Sequence, residues 1–291
     1  MTTALDGLIL LNKPAGVTSF QALRPVKALF PKKTKVGHSG TLDQFATGVL
    51  AVLVGRGTRL VALFTGFDKR YEGTLRLGWE SETLDPEGQP HRVGDPPDPD
   101  ELLGVLKRFR GAQTQVPPRF SAVHVGGERA YRRALRGEEL TIPERAIRIY
   151  SLELLSYEPP DARIAVHCSK GTYIRALARD IAAACGTSAY LTALRRDSVG
   201  PFTLSESVDT PTLDAVIPLE RVVQRLPSIR EVPLAEEESR RIARGAKIEA
   251  VVDRQRLTGE EPYRGFLDPR GEVVAIAAAG DGGFRYILVR P

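Results

Sequence analysis

Hydrophobic and polar positions along this chain alternate between two rhythms, separated by breaks rich in glycine and proline. Gly7 to Asn12 is a short apolar run closed by Pro14 and Gly16, which reads as a strand entering a loop. Ser19 to Phe30 changes to helical character, with Ser19 as the cap and Pro31 as the stop. Gly48 to Val54 is apolar throughout, and periodicity alone allows either helix or strand there. Tyr71 to Leu77 alternates and is rich in β-formers, which predicts a strand. His91 to Glu101 is a proline- and acid-rich loop, from which Pro99 and Asp100 start a helix over Leu102 to Arg110. Strand patterns recur at Ile147 to Tyr157 and Ala162 to Cys168. From Tyr173 to Cys185, the positions Ile174, Leu177, Ala178 and Ile181 follow helical spacing, and Gly186 ends the run. Strands mixed with helices, without strict βαβ alternation, predict an α+β fold.

Near Pro227 to Pro233 the pattern restarts. Glu236 to Gly245 is helical, and Tyr263 to Leu267, Val273 to Ala278 and Phe284 to Val289 are short strands between glycine-rich turns. A chain of 291 residues is comfortable as two units, divided here as 1–228 and 229–291. Composition is that of an ordinary soluble globular protein, and it adds one bias, a formal charge of +5 that favours anionic partners, nucleic acid above all. Arginine outnumbers lysine, which suits bidentate phosphate contacts but also follows from a GC-rich genome. Cys168 and Cys185 belong to no CxxC or Cys/His pattern, which argues against zinc and against a disulfide framework. Both stand among apolar residues, so buried thiols in a reducing cytoplasm are expected. The first residues lack the form of a signal peptide, and no apolar run is long enough to span a bilayer. A cytoplasmic protein away from membranes is the expectation. Ser169 to Thr172 has P-loop-like residues without the order that cradles phosphate.

The candidate chemistry is concentrated in Gly37-His38-Ser39-Gly40-Thr41-Leu42-Asp43-Gln44-Phe45-Ala46-Thr47-Gly48. It places one carboxylate, Asp43, among glycines and small hydroxyl residues, directly before an apolar run. Such a carboxylate is available for nucleophilic or acid/base work, although a lone Asp also caps turns. Three further segments decide between these readings: Leu10 to Phe20, Lys69 to Gly73 running on to Thr83-Leu84-Asp85-Pro86-Glu87-Gly88, and Cys168 to Leu177. Together and in this order, the four resemble the motifs of the TruB family, the tRNA pseudouridine-55 synthases.

The resemblance implies the pseudouridine synthase fold, a mixed and largely antiparallel sheet with helices. It also implies that residues 229–291 form a small β-rich RNA-binding module similar to a PUA domain. The implied reaction flips uridine 55 of the tRNA T loop out of its stack, breaks its glycosidic C–N bond, rotates the uracil and joins C5 to the sugar. No redox change or phosphate hydrolysis occurs, so neither cofactor nor metal is expected. Asp43 matches the catalytic aspartate, Arg175 the arginine that pairs with it, and Tyr71 the tyrosine that stacks on the target base and takes part in the final proton removal. His38 matches the histidine that holds the extruded nucleotide. Tyr173 and Leu194 line the pocket. Lys13 and Pro14 support the catalytic loop, with Lys13 counted among the substrate contacts. Pro117 to Arg145 resembles the family's RNA-contacting insertion, or thumb, which is expected to close over RNA. Its Arg129, Arg132, Arg133 and Arg136 recur at three- and four-residue spacing, so a helix would show them on one face. Lys32, Lys33 and Lys35 add a basic run before the catalytic loop.

The route stays open between addition of Asp43 to the ring, attack on the anomeric carbon, and deprotonation of the sugar to a glycal. Several positions depart from the family pattern: Ser39 for Thr, Gln44 for Pro, Glu82 for Asp, Phe120 for Tyr and His124 for Lys. None removes a catalytic group, but Gln44 in place of Pro frees φ and loosens the loop. Two other functions share these features, an RNA-folding chaperone and a guide-RNA-dependent synthase of the dyskerin type. The Leu10 to Phe20 context, modest length and lack of charged tails favour a stand-alone bacterial form, a monomer with tRNA as partner and no obligatory protein partner.

Overall fold

The computed structural model describes residues 6–290 and has a ten-stranded mixed sheet as its frame. Across that sheet run Ile217–Pro218, Gly7–Lys13, Thr47–Val54, Ala189–Val199, Lys69–Leu77, Asp161–Cys168, Arg145–Glu158 and Gly111–Gln115. Val36–Ser39 and Phe202–Thr203 pair off this path. Every pairing is antiparallel except that of Thr47–Val54 with Ala189–Val199. The fold is therefore α+β on a largely antiparallel sheet, as the sequence implies.

Strands Gly7–Lys13 and Thr47–Val54 are covered on both faces. Leu8, Leu10, Val49, Ala51 and Leu53 enter one apolar cluster, while Ile9, Leu11, Leu50, Val52 and Val54 enter another with Ala22, Leu23 and Val26 of helix Ser19–Ala28. Two buried faces erase the alternation that marks a strand, which is why Gly48 to Val54 is ambiguous as sequence. On the other half of the sheet, helices Pro99–Arg108 and Ile174–Ala184 bury Leu102, Val105, Leu106, Leu177 and Ile181 against Leu75, Ile164 and Val166. Each such side chain contributes roughly 1.5–3 kcal/mol when fully buried.

Two local expectations are corrected. The cap of helix Ser19–Ala28 is Thr18, whose side chain accepts from Gln21 N while the Gln21 side chain accepts from Thr18 N. Cys168 is buried, but Cys185 is only half-buried.

Strand Ala189–Val199 has no counterpart in the sequence reading. Its outer face carries Arg195, paired with Glu72 across the sheet, and the charges mask its strand character. Gly48 explains how it lies so close to Thr47–Val54: φ is +102°, and a Cβ there would strike the Arg196 carbonyl oxygen. Gly48→Ala is expected to destabilise the fold by about 1–3 kcal/mol or more, measured as a lower midpoint in denaturant.

Residues 229–289 supply a second sheet, Ile229–Pro233, Tyr263–Leu267, Val273–Gly280 and Gly283–Val289, beside helix Glu236–Ala243. Leu267, Val273, Ile276 and Leu288 share an apolar cluster with Leu8, Leu10 and Val49 of the large sheet. The small sheet thus backs the strand that carries Lys13 and the strand that follows the Asp43 loop.

Candidate active site

Asp43 lies on the loop between strands Val36–Ser39 and Thr47–Val54, which pair with each other and fold the loop back over the sheet. The first motif fixes this loop on both sides of Asp43. Ser19 Oγ accepts from Leu42 N at 2.8 Å and donates to Leu42 O at 3.0 Å. Gly16 N and Lys13 Nζ both donate to Gln44 O, at 2.9 and 3.2 Å. The carbonyl of Gln44 is thus tethered twice, which offsets the freedom gained by lacking proline. Lys13 is fully buried and also donates to Pro14 O and Val17 O at 2.8 and 2.7 Å. Burial lowers its ammonium to about 8, so at neutral pH it keeps all three hydrogens. Lys13 braces the catalytic loop, as its place in the first motif implies, with its donors on carbonyls. Lys13→Met strands the Pro14 and Val17 carbonyls at about 1–3 kcal/mol each and is expected to lower the melting temperature and slow turnover more than it weakens RNA binding. Calorimetry and single-turnover kinetics check this.

Arg175, on helix Ile174–Ala184, meets Asp43 in a bidentate fork: Nε donates to Oδ2 and one terminal nitrogen to Oδ1, both at 2.9 Å. The same guanidinium donates to Thr83 O at 2.7 Å and Phe120 O at 3.0 Å, and stands 3.2 Å from Asp85 Oδ2. One buried cation therefore joins the catalytic loop, the second motif and the start of the insertion. Its side chain is 5% exposed and that of Asp43 is 34% exposed, so the carboxylate faces solvent while its partner does not. Asp85 is enclosed, accepting from Thr83 Oγ1 and from Glu87 N, and burial pushes its carboxyl up despite Arg175 beside it. Leu84, between Thr83 and Asp85, has φ of +61°, a left-handed backbone held because Thr83 O and Asp85 must both face Arg175.

Tyr71 and Leu194 come from adjacent strands and both adjoin the apolar cluster beneath the loop. Burial raises the Tyr71 hydroxyl above its ordinary value, so the resting form is the phenol. His38, on Val36–Ser39, is pulled down by burial and then by Arg196, which favours a neutral imidazole. Among the described residues, His38 Nδ1, Ser39 Oγ and Ser121 Oγ are buried polar atoms with no partner. Tyr173 is held at the start of helix Ile174–Ala184 by Gln115, which takes its N–H and donates to its carbonyl. The Arg145 guanidinium lies 5.3 Å over the Tyr173 ring.

Sequence reasoning assigned no role to Ser19 beyond a cap, none to Asp85, and none to Arg196. The Leu194-Arg195-Arg196 run held a usable signal: on a strand, neighbouring arginines point to opposite faces, so one must turn inward.

The insertion corrects the arginine stripe. Its helix is Ala130–Leu135, which leaves Arg129 at the cap. Arg133 donates to Glu138, and Arg136 to Glu128 and Glu138, at 2.6 to 3.0 Å. Arg129 and Arg132 remain exposed, with Arg132 over the Tyr131 ring, and Lys32, Lys33 and Lys35 are exposed ahead of the His38 strand.

The comparisons with known proteins agree on one family. Residues 27–174 match the family model described as TruB family pseudouridylate synthase (N terminal domain). A tRNA pseudouridine synthase B of Borrelia garinii subsp. bavariensis is 35% identical over 290 residues, 98% of this chain and 99% of that protein. One from Bordetella avium is 43% identical over 233 residues, covering 79% of this chain and 94% of that protein. In fold, the chain resembles one in the crystal structure of a Cbf5-Nop10-Gar1 complex, with a TM-score of 0.70 at 23% identity over 98% of this chain and 85% of that one. With the family model spanning half the chain and a relative matching it nearly end to end, this protein belongs to the TruB family of pseudouridylate synthases.

Proposed function

We propose that this protein isomerises uridine 55 of tRNA to pseudouridine, with Asp43 as the group that acts on the nucleotide. The observation that carries this reading is the state of Asp43: both oxygens rest on a buried arginine, yet a third of the side chain is open. A carboxylate so held is directed, with one face left open to a nucleotide. Near-full-length identity to proteins named tRNA pseudouridine synthase B supports tRNA as the substrate.

The remaining residues fit steps the reaction requires. The target base must leave its stack, at a few kcal/mol. His38 offers a neutral imidazole whose Nδ1 lacks a partner among the described residues, suited to bonding what the extruded nucleotide leaves behind or presents. Tyr71 offers a ring at the edge of the core on which a uracil stacks, Leu194 of the same cluster adds an apolar wall, and Tyr173 is assigned to the pocket with Arg145 over its ring. Residues 229–291 hold equal numbers of basic and acidic residues, so the whole excess of +5 belongs to 1–228. RNA grip is therefore assigned chiefly to the catalytic unit, through Lys32, Lys33, Lys35, Arg129 and Arg132, with the 229–291 unit backing the sheet. His38→Ala is expected to slow single-turnover conversion about tenfold, the worth of one hydrogen bond to the displaced nucleotide. Fluorescence of 2-aminopurine next to position 55 checks whether flipping is the step that slows.

The test uses tRNA transcript tritiated at uracil C5. Tritium release from wild-type transcript, absent when uridine 55 is cytidine, is the expected result. Equal release from both transcripts would reject position 55 as the target.

A further inference from the structure

Arg196 is, with Arg264, one of two arginines among the described residues with only 1% exposure. Among those residues no carboxylate lies within ion-pair distance of it, unlike its neighbour Arg195 or the site's Arg175. An enclosed charge without a counter-ion is costly, and its carbonyl contacts offset that cost only in part. Those contacts are specific. Nε donates to Val49 O at 2.7 Å and a terminal nitrogen to Gly40 O at 3.0 Å, so Arg196 holds the chain on both sides of the Asp43 loop. Its Cα is the direct partner of Tyr71 across the antiparallel pair. Directly opposed residues put their side chains on one face, so the Arg196 and Tyr71 side chains share a side of the sheet.

We propose that Arg196 is a positioning residue for the isomerisation, holding the Tyr71 hydroxyl and stabilising its phenolate while Tyr71 carries the proton that moves from uracil C5 to N1. This rests on the reading of Tyr71 as the residue that faces the target base. Pseudouridine formation shifts one proton from C5 to N1 and consumes no other acid or base. Tyr71 enters as the phenol and gives its proton to N1 once the C1′–N1 bond has broken. After the C1′–C5 bond has formed, the C5–H bond breaks and its electron pair makes the C5–C6 double bond. The N1–C6 π pair returns to N1, and the proton returns to the Tyr71 oxygen. Between these transfers a phenolate stands in a closed site. Burial, Cys168 and Asp43 all oppose that charge, and Arg196 is the group that favours it. Lys69 and His38 lie in the same field, and burial first and Arg196 second pull both toward their neutral forms.

The experiment measures single-turnover rates for Arg196→Met, Arg196→Lys and Tyr71→Phe on tRNA carrying protium or deuterium at C5 of uridine 55. Arg196→Met is expected to slow the reaction about 100-fold, the usual scale of lost proton-transfer catalysis. Arg196→Lys keeps the charge without the fork and is expected to regain about tenfold of that loss. In both, tRNA affinity holds and the isotope effect rises above wild type, because C5–H cleavage becomes limiting. An unchanged isotope effect in folded variants overturns the proposal, as does a lysine variant no faster than the methionine one. Should Arg196→Met not fold, the isotope effect of Arg196→Lys decides alone. Tyr71→Phe at wild-type rate rejects the underlying reading of Tyr71, whereas a slow Tyr71→Phe beside a normal Arg196→Met rejects Arg196 only.

Discussion

Asp43→Asn is expected to abolish pseudouridine formation, lowering the single-turnover rate by about 10⁴-fold or more, while tRNA binding and melting temperature stay close to wild type. The two halves of this expectation have separate physical grounds. Asn has the shape of Asp but no anionic oxygen, so it neither attacks carbon nor removes a proton from the sugar at neutral pH. Stability is spared because Asp43 is partly exposed and its loop is held by backbone contacts with Ser19, Gly16 and Lys13, none of which uses the carboxylate. Arg175 also keeps Asp85, Thr83 O and Phe120 O. Rapid-quench kinetics with filter binding on the same preparations measures both halves. A variant that fails to bind tRNA would show that Asp43 shapes the site rather than acting in it.

Arg175→Met is expected to do damage of both kinds. Removing one partner of a buried ion pair leaves Asp85 enclosed with a raised affinity for protons and frees Asp43 from its fork. The stability cost is about 3–5 kcal/mol. Turnover is expected to fall by about 100-fold or more, since the fixed positive charge that orients the carboxylate is lost. Arg175→Lys restores charge but reaches one acceptor at a time, so it should recover stability more than rate. Because Arg175 links the Asp43 loop, the Thr83–Asp85 turn and Phe120, hydrogen exchange should quicken in all three segments together. Faster exchange in only one of them would mean that the others are held independently.

How much of this was legible in sequence follows from where each contact lies along the chain. The Asp43 loop reads directly because its glycines, hydroxyl residues and carboxylate are contiguous, and Tyr71 and Arg175 sit in segments of equally sharp composition. Elements with one exposed face, such as Tyr71 to Leu77 and Tyr173 to Cys185, also read well. Thr47–Val54 does not, because both faces are buried. The burial of Lys13 is hidden for a related reason: lysine is a surface residue by habit, and three convergent carbonyls make its burial tolerable. Arg196 is not legible because an arginine is read by its expected acidic partner, and here carbonyls take that place. The arginines of the insertion show the converse. Their spacing displays a face, but Glu128 and Glu138 claim Arg133 and Arg136 through the fold of the hairpin and helix.

The most direct measurement is a nucleotide-resolution map of pseudouridine in unmodified tRNA incubated with the purified protein. The expected result is a single new pseudouridine, at position 55, in every tRNA that carries a uridine there. Pseudouridine at other uridines with none at 55, or no pseudouridine despite tight binding of tRNA, would contradict the assignment of substrate and site.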